Sequence, residues 1–112
     1  MTRNNSNTYC GTWRIVDMEI GDADYLDMEV PAFLTIHRDL TGEFQFGLVQ
    51  GELDGRLETS NGETHFDFSW SGFDEMDPIS GRGWLLLDGD TARGRFYFHL
   101  GDDSGITVER RH

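Results

Sequence analysis

Apolar and polar residues alternate with a period of two along much of the chain. The clearest stretch is Thr64 to Asp88. Phe66, Phe68 and Trp70 fall on one face there, and His65, Asp67, Ser69 and Ser71 on the other. That spacing predicts a half-buried strand. An acidic loop follows, Phe73 to Pro78, and then a denser apolar run from Trp84 to Leu87 that reads as a second strand. Asp88-Gly89-Asp90 marks the next turn.

The rest of the chain repeats this unit of short strand and Gly/Asp turn. A first strand is predicted over Gly11 to Ile20, where Ile15, Val16, Met18 and Ile20 put apolar character on both faces. Gly21 to Pro31 is a long acidic connection with room for one helical turn, which Pro31 would stop. A second strand spans Ala32 to Arg38, and Asp39 to Gly42 turns the chain. The third strand sets Phe44, Phe46 and Leu48 on one face. Beyond Leu48 the apolar positions jump from even to odd numbers, at Leu53 and Leu57. A one-residue slip would turn a strand inside out, so a turn is expected near Gln50-Gly51-Glu52, with a fourth strand over Glu52 to Thr59. Asn61-Gly62 is a hairpin signal suited to a type I′ turn. The seventh strand, Ala92 to Leu100, is expected to face Phe96, Phe98 and Leu100 inward. Gly101 to Gly105 turns, and Ile106 to Arg110 is the last strand. Residues 1–10 are expected to form a disordered tail, and residues 11–112 a single domain.

Eight short strands joined by hairpin-length links predict an all-β fold. Sequential strands should pair, and an eight-stranded antiparallel meander removes its edges by closing into an up-and-down barrel. A Greek-key sandwich would need longer crossings.

Gly11-Thr12-Trp13 resembles the G-x-W start of the calycins, the lipocalin and avidin-like barrels. The resemblance implies that an Arg from the last strand, Arg110 or Arg111, packs over Trp13 near the closed end. Almost the whole chain is similar to a widespread set of small uncharacterised bacterial proteins. The phrases that carry this are GTWRIVDME, DADYLDMEVPAF, GEFQFGLVQGELD, FSWSGFDEMDPISGRGW and GRFYFHLGDDS. That second resemblance implies no particular activity.

Charge narrows the partners. The chain has 21 acidic residues against nine basic ones, a formal net charge of -12, and every base is Arg. Such a surface repels nucleic acid and anionic membranes, so neither is expected as a partner. Cys10 is the single cysteine, so no intrachain disulfide can form. The N-terminal residues lack the apolar core of a signal peptide, and no apolar run approaches transmembrane length. A cytoplasmic bacterial protein is the expectation.

Meander parity gives the sharpest functional reading. Links after odd strands share one end of a barrel. That end should receive Asp22, Asp24, Asp27, Glu29, Glu52, Asp54, Asp74, Glu75, Asp77, Asp102 and Asp103, eleven of the 21 acids. Tyr25 sits among them, and Arg82 follows the acidic loop, where it could pair with Asp74 or Asp77 or hold an anionic group. Crowded carboxylates attract cations, including Ca²⁺ or Mg²⁺, but Asp22-x-Asp24-x-x-Asp27 lacks calcium-loop spacing. Acids in Gly/Asp turns also cap backbone N–H groups, which is the structural alternative. His99, Asp102 and Ser104 lie close in sequence without the nucleophile elbow of a hydrolase. His37, His65 and His112 show no metal-ligand spacing. Trp13, Phe33, Phe44, Phe46, Phe66, Phe68, Trp70, Trp84, Phe96 and Phe98 are expected inside, where they would either line a cavity or fill it. The leading expectation is a non-enzymatic barrel that binds a small amphiphilic or cationic ligand at an acidic mouth, with no cofactor. The alternatives are an interaction module that docks a basic protein or forms a homodimer, and, third, a metal- or acid-assisted hydrolase.

Overall fold

In the computed structural model, which describes residues 8–111, eight antiparallel strands close into a barrel. They are β1 (Gly11–Met18), β2 (Phe33–Ile36), β3 (Thr41–Phe46), β4 (Val49–Ser60), β5 (Glu63–Asp74), β6 (Asp77–Asp88), β7 (Thr91–Phe98) and β8 (Asp103–Arg110). A four-residue helix, α1 (Ala23–Leu26), lies between β1 and β2. Each strand pairs with its neighbours in sequence, and β8 closes on β1. The expected meander and its closure are therefore both present.

Two local devices explain where the alternation breaks. The β1–β8 register shifts between Ile15 and Asp17, which leaves Val16 as an extra, exposed residue. This bulge lets Ile15 and Met18 both face inward, so β1 looks apolar on both sides. The second device is the β3–β4 turn. Phe46 stands opposite Val49, so the turn is Gly47-Leu48, with Gly47 at φ 57°. The expected turn at Gln50-Gly51-Glu52 is corrected to this position. A two-residue turn joins two facing residues three apart, and that alone switches the inward positions from even to odd. Leu48 is in the turn rather than on β3, and Gln50, Glu52 and Asp54 are exposed on β4. Asn61 and Gly62, at φ 53° and 82°, form the left-handed pair that their sequence predicts.

The interior is built from rings set against glycines. One cross-strand row runs Gly55, Phe68, Gly83, Phe96 over four strands. A Cβ placed on Gly83 would lie 2.4 Å from the Phe68 ring, so a side chain there would collide with it. Alternating large and absent side chains fit a narrow barrel. Phe96 is the hub. Its ring centre lies 4.8 Å from Trp70, 5.3 Å from both Phe44 and Phe46, 5.5 Å from Phe98 and 6.1 Å from Phe68. Each such buried ring contributes about 1.5–3 kcal/mol by removal from water, and ring pairs at these offsets add to it.

Both ends are closed by side chains. At the end where β1 begins, Tyr9 is 2% exposed and stacks on Phe66, with ring centres 5.7 Å apart. Its carbonyl accepts from the Trp13 indole N–H at 3.0 Å. Arg110 lies 4.3 Å over the Trp13 ring, so of the two arginines named by resemblance it is Arg110 that covers the tryptophan. The expected tail over residues 1–10 is thus corrected at Tyr9, which belongs to the core; residues 1–7 lie outside the described residues. At the opposite end Leu26, on α1, is 2% exposed and joins the core.

Three aromatic or aliphatic placements differ from expectation. Trp84 is half-buried and faces out, beside His65, because its neighbours Gly83 and Leu85 take the inward positions. Phe33 is half-buried on the outer side of β2, between the inward Ala32 and Leu34. Leu100 stands in the β7–β8 turn at φ 59° and is 94% exposed. The interior positions of Trp13, Phe44, Phe46, Phe66, Phe68, Trp70, Phe96 and Phe98 are as expected.

Candidate functional site: an acidic rim and an outer recess

The links after the odd strands do share one end. They are the α1 connection, Gly47-Leu48, Glu75-Met76 and the turn from His99 to Asp102. Several of the acids there serve the backbone. Asp22 caps α1 by accepting from the Tyr25 N–H at 3.0 Å. Asp27 accepts from the Ala32 N–H at 2.8 Å and from Arg14 at 2.7 Å. Tyr25 is a packing residue: a Cβ on Gly47 would lie 2.3 Å from its ring. The Gly47 N–H donates to the Leu26 carbonyl at 2.8 Å, which holds α1 against the β3–β4 turn.

Asp103 is paired with Arg95. Glu19, which the sequence reading passed over, completes this group; its Oε1 lies 3.3 Å from Arg95 and accepts from the Gly105 N–H at 2.9 Å. Contact with Asp103 holds the Arg95 guanidinium more firmly protonated than usual. Asp24, Asp74, Glu75, Asp77 and Asp102 are exposed. Asp74 and Asp77 face each other at the end of the β5–β6 ladder. Glu52 and Asp54 sit on the wall of β4 and not in a rim loop. Arg82 is opposite Ser69 and Tyr97 in mid-strand, five residues beyond Asp77. Among the described residues no three His, Cys, Asp or Glu side chains converge in a way that could hold a metal ion.

The remaining candidates for chemistry also have local partners. Ser104 is fully buried; its hydroxyl donates to the Gly105 carbonyl at 2.7 Å and accepts from the Glu19 N–H at 2.9 Å. That leaves it poorly placed to act as a nucleophile for His99, which is exposed. His37 lies 2.9 Å from Glu43, and His65 lies 3.5 Å from Asp67. The Cys10 thiol donates to the His37 carbonyl at 3.2 Å, and burial pushes its pKa up, away from the reactive thiolate.

One hollow is a recess on the outer wall. It is open, about 810 Å³, and runs across β2 to β6 beside the acidic rim. Phe33, Phe73 and Pro78 supply apolar surface, and Gly51 and Gly72 leave the backbone of the row between them bare. Gln45, Gln50, Ser71 and Ser80 add neutral polar groups. Glu43 and Glu52 border it and stand directly opposite each other on β3 and β4. Like charges in that position disfavour pairing of the two strands. The sequence held a signal for this pair only once the β3–β4 turn was correctly placed. In comparisons with protein-family models, curated proteins and solved structures, the chain matched none at significance. Among the described residues no helix is long and apolar enough to cross a membrane.

Proposed function

We propose that this barrel is a non-enzymatic binding protein and that its ligand is a small amphiphilic cation held in the outer recess. The observation that carries this reading is the Glu43–Glu52 pair beside Phe33 and Phe73. A cation beside Glu52 and Glu43, the latter also 2.9 Å from His37, offsets their like charge, while its apolar part covers exposed rings. The acidic mouth contributes a long-range field that draws cations towards the same end. Entry into the barrel itself is disfavoured, because Leu26, Tyr9 and the rings around Phe96 occupy it.

Titration calorimetry with octylammonium tests this, with octanoate as the control of opposite charge. Octylammonium should bind, more weakly as salt rises. Glu52→Gln and Phe73→Ser should each weaken it by at least about tenfold, or ~1.4 kcal/mol. Equal binding of octanoate, or no binding of either, would refute the reading.

A second reading rests on a separate observation. Met28, Met76 and Leu100 are 53%, 89% and 94% exposed, and all three stand on links of the acidic end. Apolar tips among carboxylates suit a basic protein surface or a second copy of the chain. Sedimentation velocity of the purified protein, with and without Leu100→Ser, separates self-association from a monomer.

A further inference from the structure

We propose that a second hollow, at the far end of the outer wall, is a binding site for a neutral sugar ring stacked on Trp84. It is about 290 Å³ in volume and is lined by Ser60, Asn61, Glu63, His65, Trp84 and Leu86. It shares no residue with the recess under Glu43 and Glu52.

The site exists because two strands part company. The β5–β6 ladder ends at Phe66 opposite Leu85, while the β4–β5 hairpin runs on to Ser60 opposite Glu63. The same register would set Thr64 opposite Leu87. Instead the Tyr9 hydroxyl stands between them, donating to the Thr64 carbonyl at 3.0 Å and accepting from the Leu87 N–H at 3.1 Å. The hairpin tip therefore rises clear of β6, and Trp84 is left half-exposed beneath it.

The chemistry around the indole selects the ligand class. A half-exposed indole offers a flat, electron-rich face, which the polarised C–H bonds on one side of a pyranose complement. The hydrogen-bonding groups around it are an amide, a carboxylate, a hydroxyl and an imidazole. Together they supply donors and acceptors at the ring edge, as vicinal hydroxyls require. Asn61, Ser60 and His65 all bring donors, which a bare cation could not use. Glu63 lines the hollow and disfavours an anion there, while Arg93 and Arg95, opposite Leu86 and Trp84 on β7, lie outside the lining. The His65 ring is edge-on to Trp84 with centres 6.3 Å apart and lies 3.5 Å from Asp67, so its orientation is set before any ligand arrives.

Saturation-transfer NMR with the methyl glycosides of glucose, galactose, mannose and N-acetylglucosamine tests the proposal. At least one should receive magnetisation on the ring protons of one face. Trp84→Leu should abolish the transfer, and Glu63→Ala, at an exposed position, should weaken binding by about threefold or more. Glu52→Gln, in the other recess, should leave it unchanged. Absence of transfer to all four glycosides would overturn the proposal, as would transfer that persists in a folded Trp84→Leu protein. Should Trp84→Leu fail to fold, undiminished transfer in Glu63→Ala would overturn it equally.

Discussion

The Tyr9 hydroxyl accepts a hydrogen bond from the Leu87 N–H at 3.1 Å, across 78 residues of chain. It thereby fills a gap in the β5–β6 ladder with a side chain, and it anchors the segment before β1 into the barrel. Removing the hydroxyl should leave the Leu87 N–H and the Thr64 carbonyl without this partner. Tyr9→Phe should therefore destabilise the fold by about 1–3 kcal/mol. Tyr9→Ala, which also empties a core position, should cost about 3–5 kcal/mol. Urea unfolding followed by tryptophan fluorescence measures both; an unchanged midpoint for Tyr9→Phe would show the hydroxyl to be unimportant.

The same phenol gives a pH prediction. Burial raises the Tyr9 pKa, and the bond from Leu87, which favours the anion, offsets only part of that. The folded chain thus holds this proton more tightly than the unfolded chain does. The associated stability is fully present below the unfolded pKa of about 10 and is lost as pH rises through the folded value. Spectrophotometric titration should show a late tyrosine ionisation that coincides with unfolding. Tyr9→Phe should remove that late step.

Arg110 should matter through its shape as well as its charge. Its guanidinium covers Trp13, donates to the Thr8 carbonyl at 2.7 Å and lies 3.4 Å from Asp90. Lysine cannot reproduce a planar group that stacks and donates along its edge. Arg110→Lys should lower stability by about 1–2 kcal/mol, read as a lower melting temperature. An unaltered melting temperature would remove the stacking from the account.

Gly83 is held small by its neighbour. Gly83→Ala puts a methyl group 2.4 Å from the Phe68 ring and 2.8 Å from the Arg95 carbonyl. It should destabilise by about 1–3 kcal/mol. Leu100→Ser, in the exposed β7–β8 turn, should stay within about 0.5 kcal/mol of the parent. Chemical denaturation of the two variants side by side checks the contrast.

The barrel was legible because its signals are local. Alternation at Phe66, Phe68 and Trp70, the Asn61-Gly62 turn and hairpin-length links all act within a few residues. The misplacements come from longer reach. The turn at Gly47-Leu48 carries no Asn, Asp or Pro, and Leu48 continues the even-numbered alternation of Phe44 and Phe46, so the change of phase shows only beyond it, near Gln50-Gly51-Glu52. Trp84 reads as interior by hydropathy, whereas the cross-strand register puts it on the outside. Tyr9 reads as tail because the partners of its hydroxyl, Leu85, Leu87 and Thr64, are at least 55 residues away. The acidic end was legible from strand parity. The recess was not, since it depends on Glu43 and Glu52 meeting across a turn whose position decides which wall they occupy.

Binding of a cation at the outer recess, and not inside the barrel, is the central claim. Two-dimensional ¹⁵N–¹H NMR of the protein titrated with octylammonium tests it most directly. The account predicts shifts concentrated at Glu43, Glu52, Phe73 and Ile79, with the amides of Leu26 and Phe96 still. Shifts centred on Leu26, Asp22, Asp24 and the residues around Phe96 would contradict it, and so would a titration that moves no resonance.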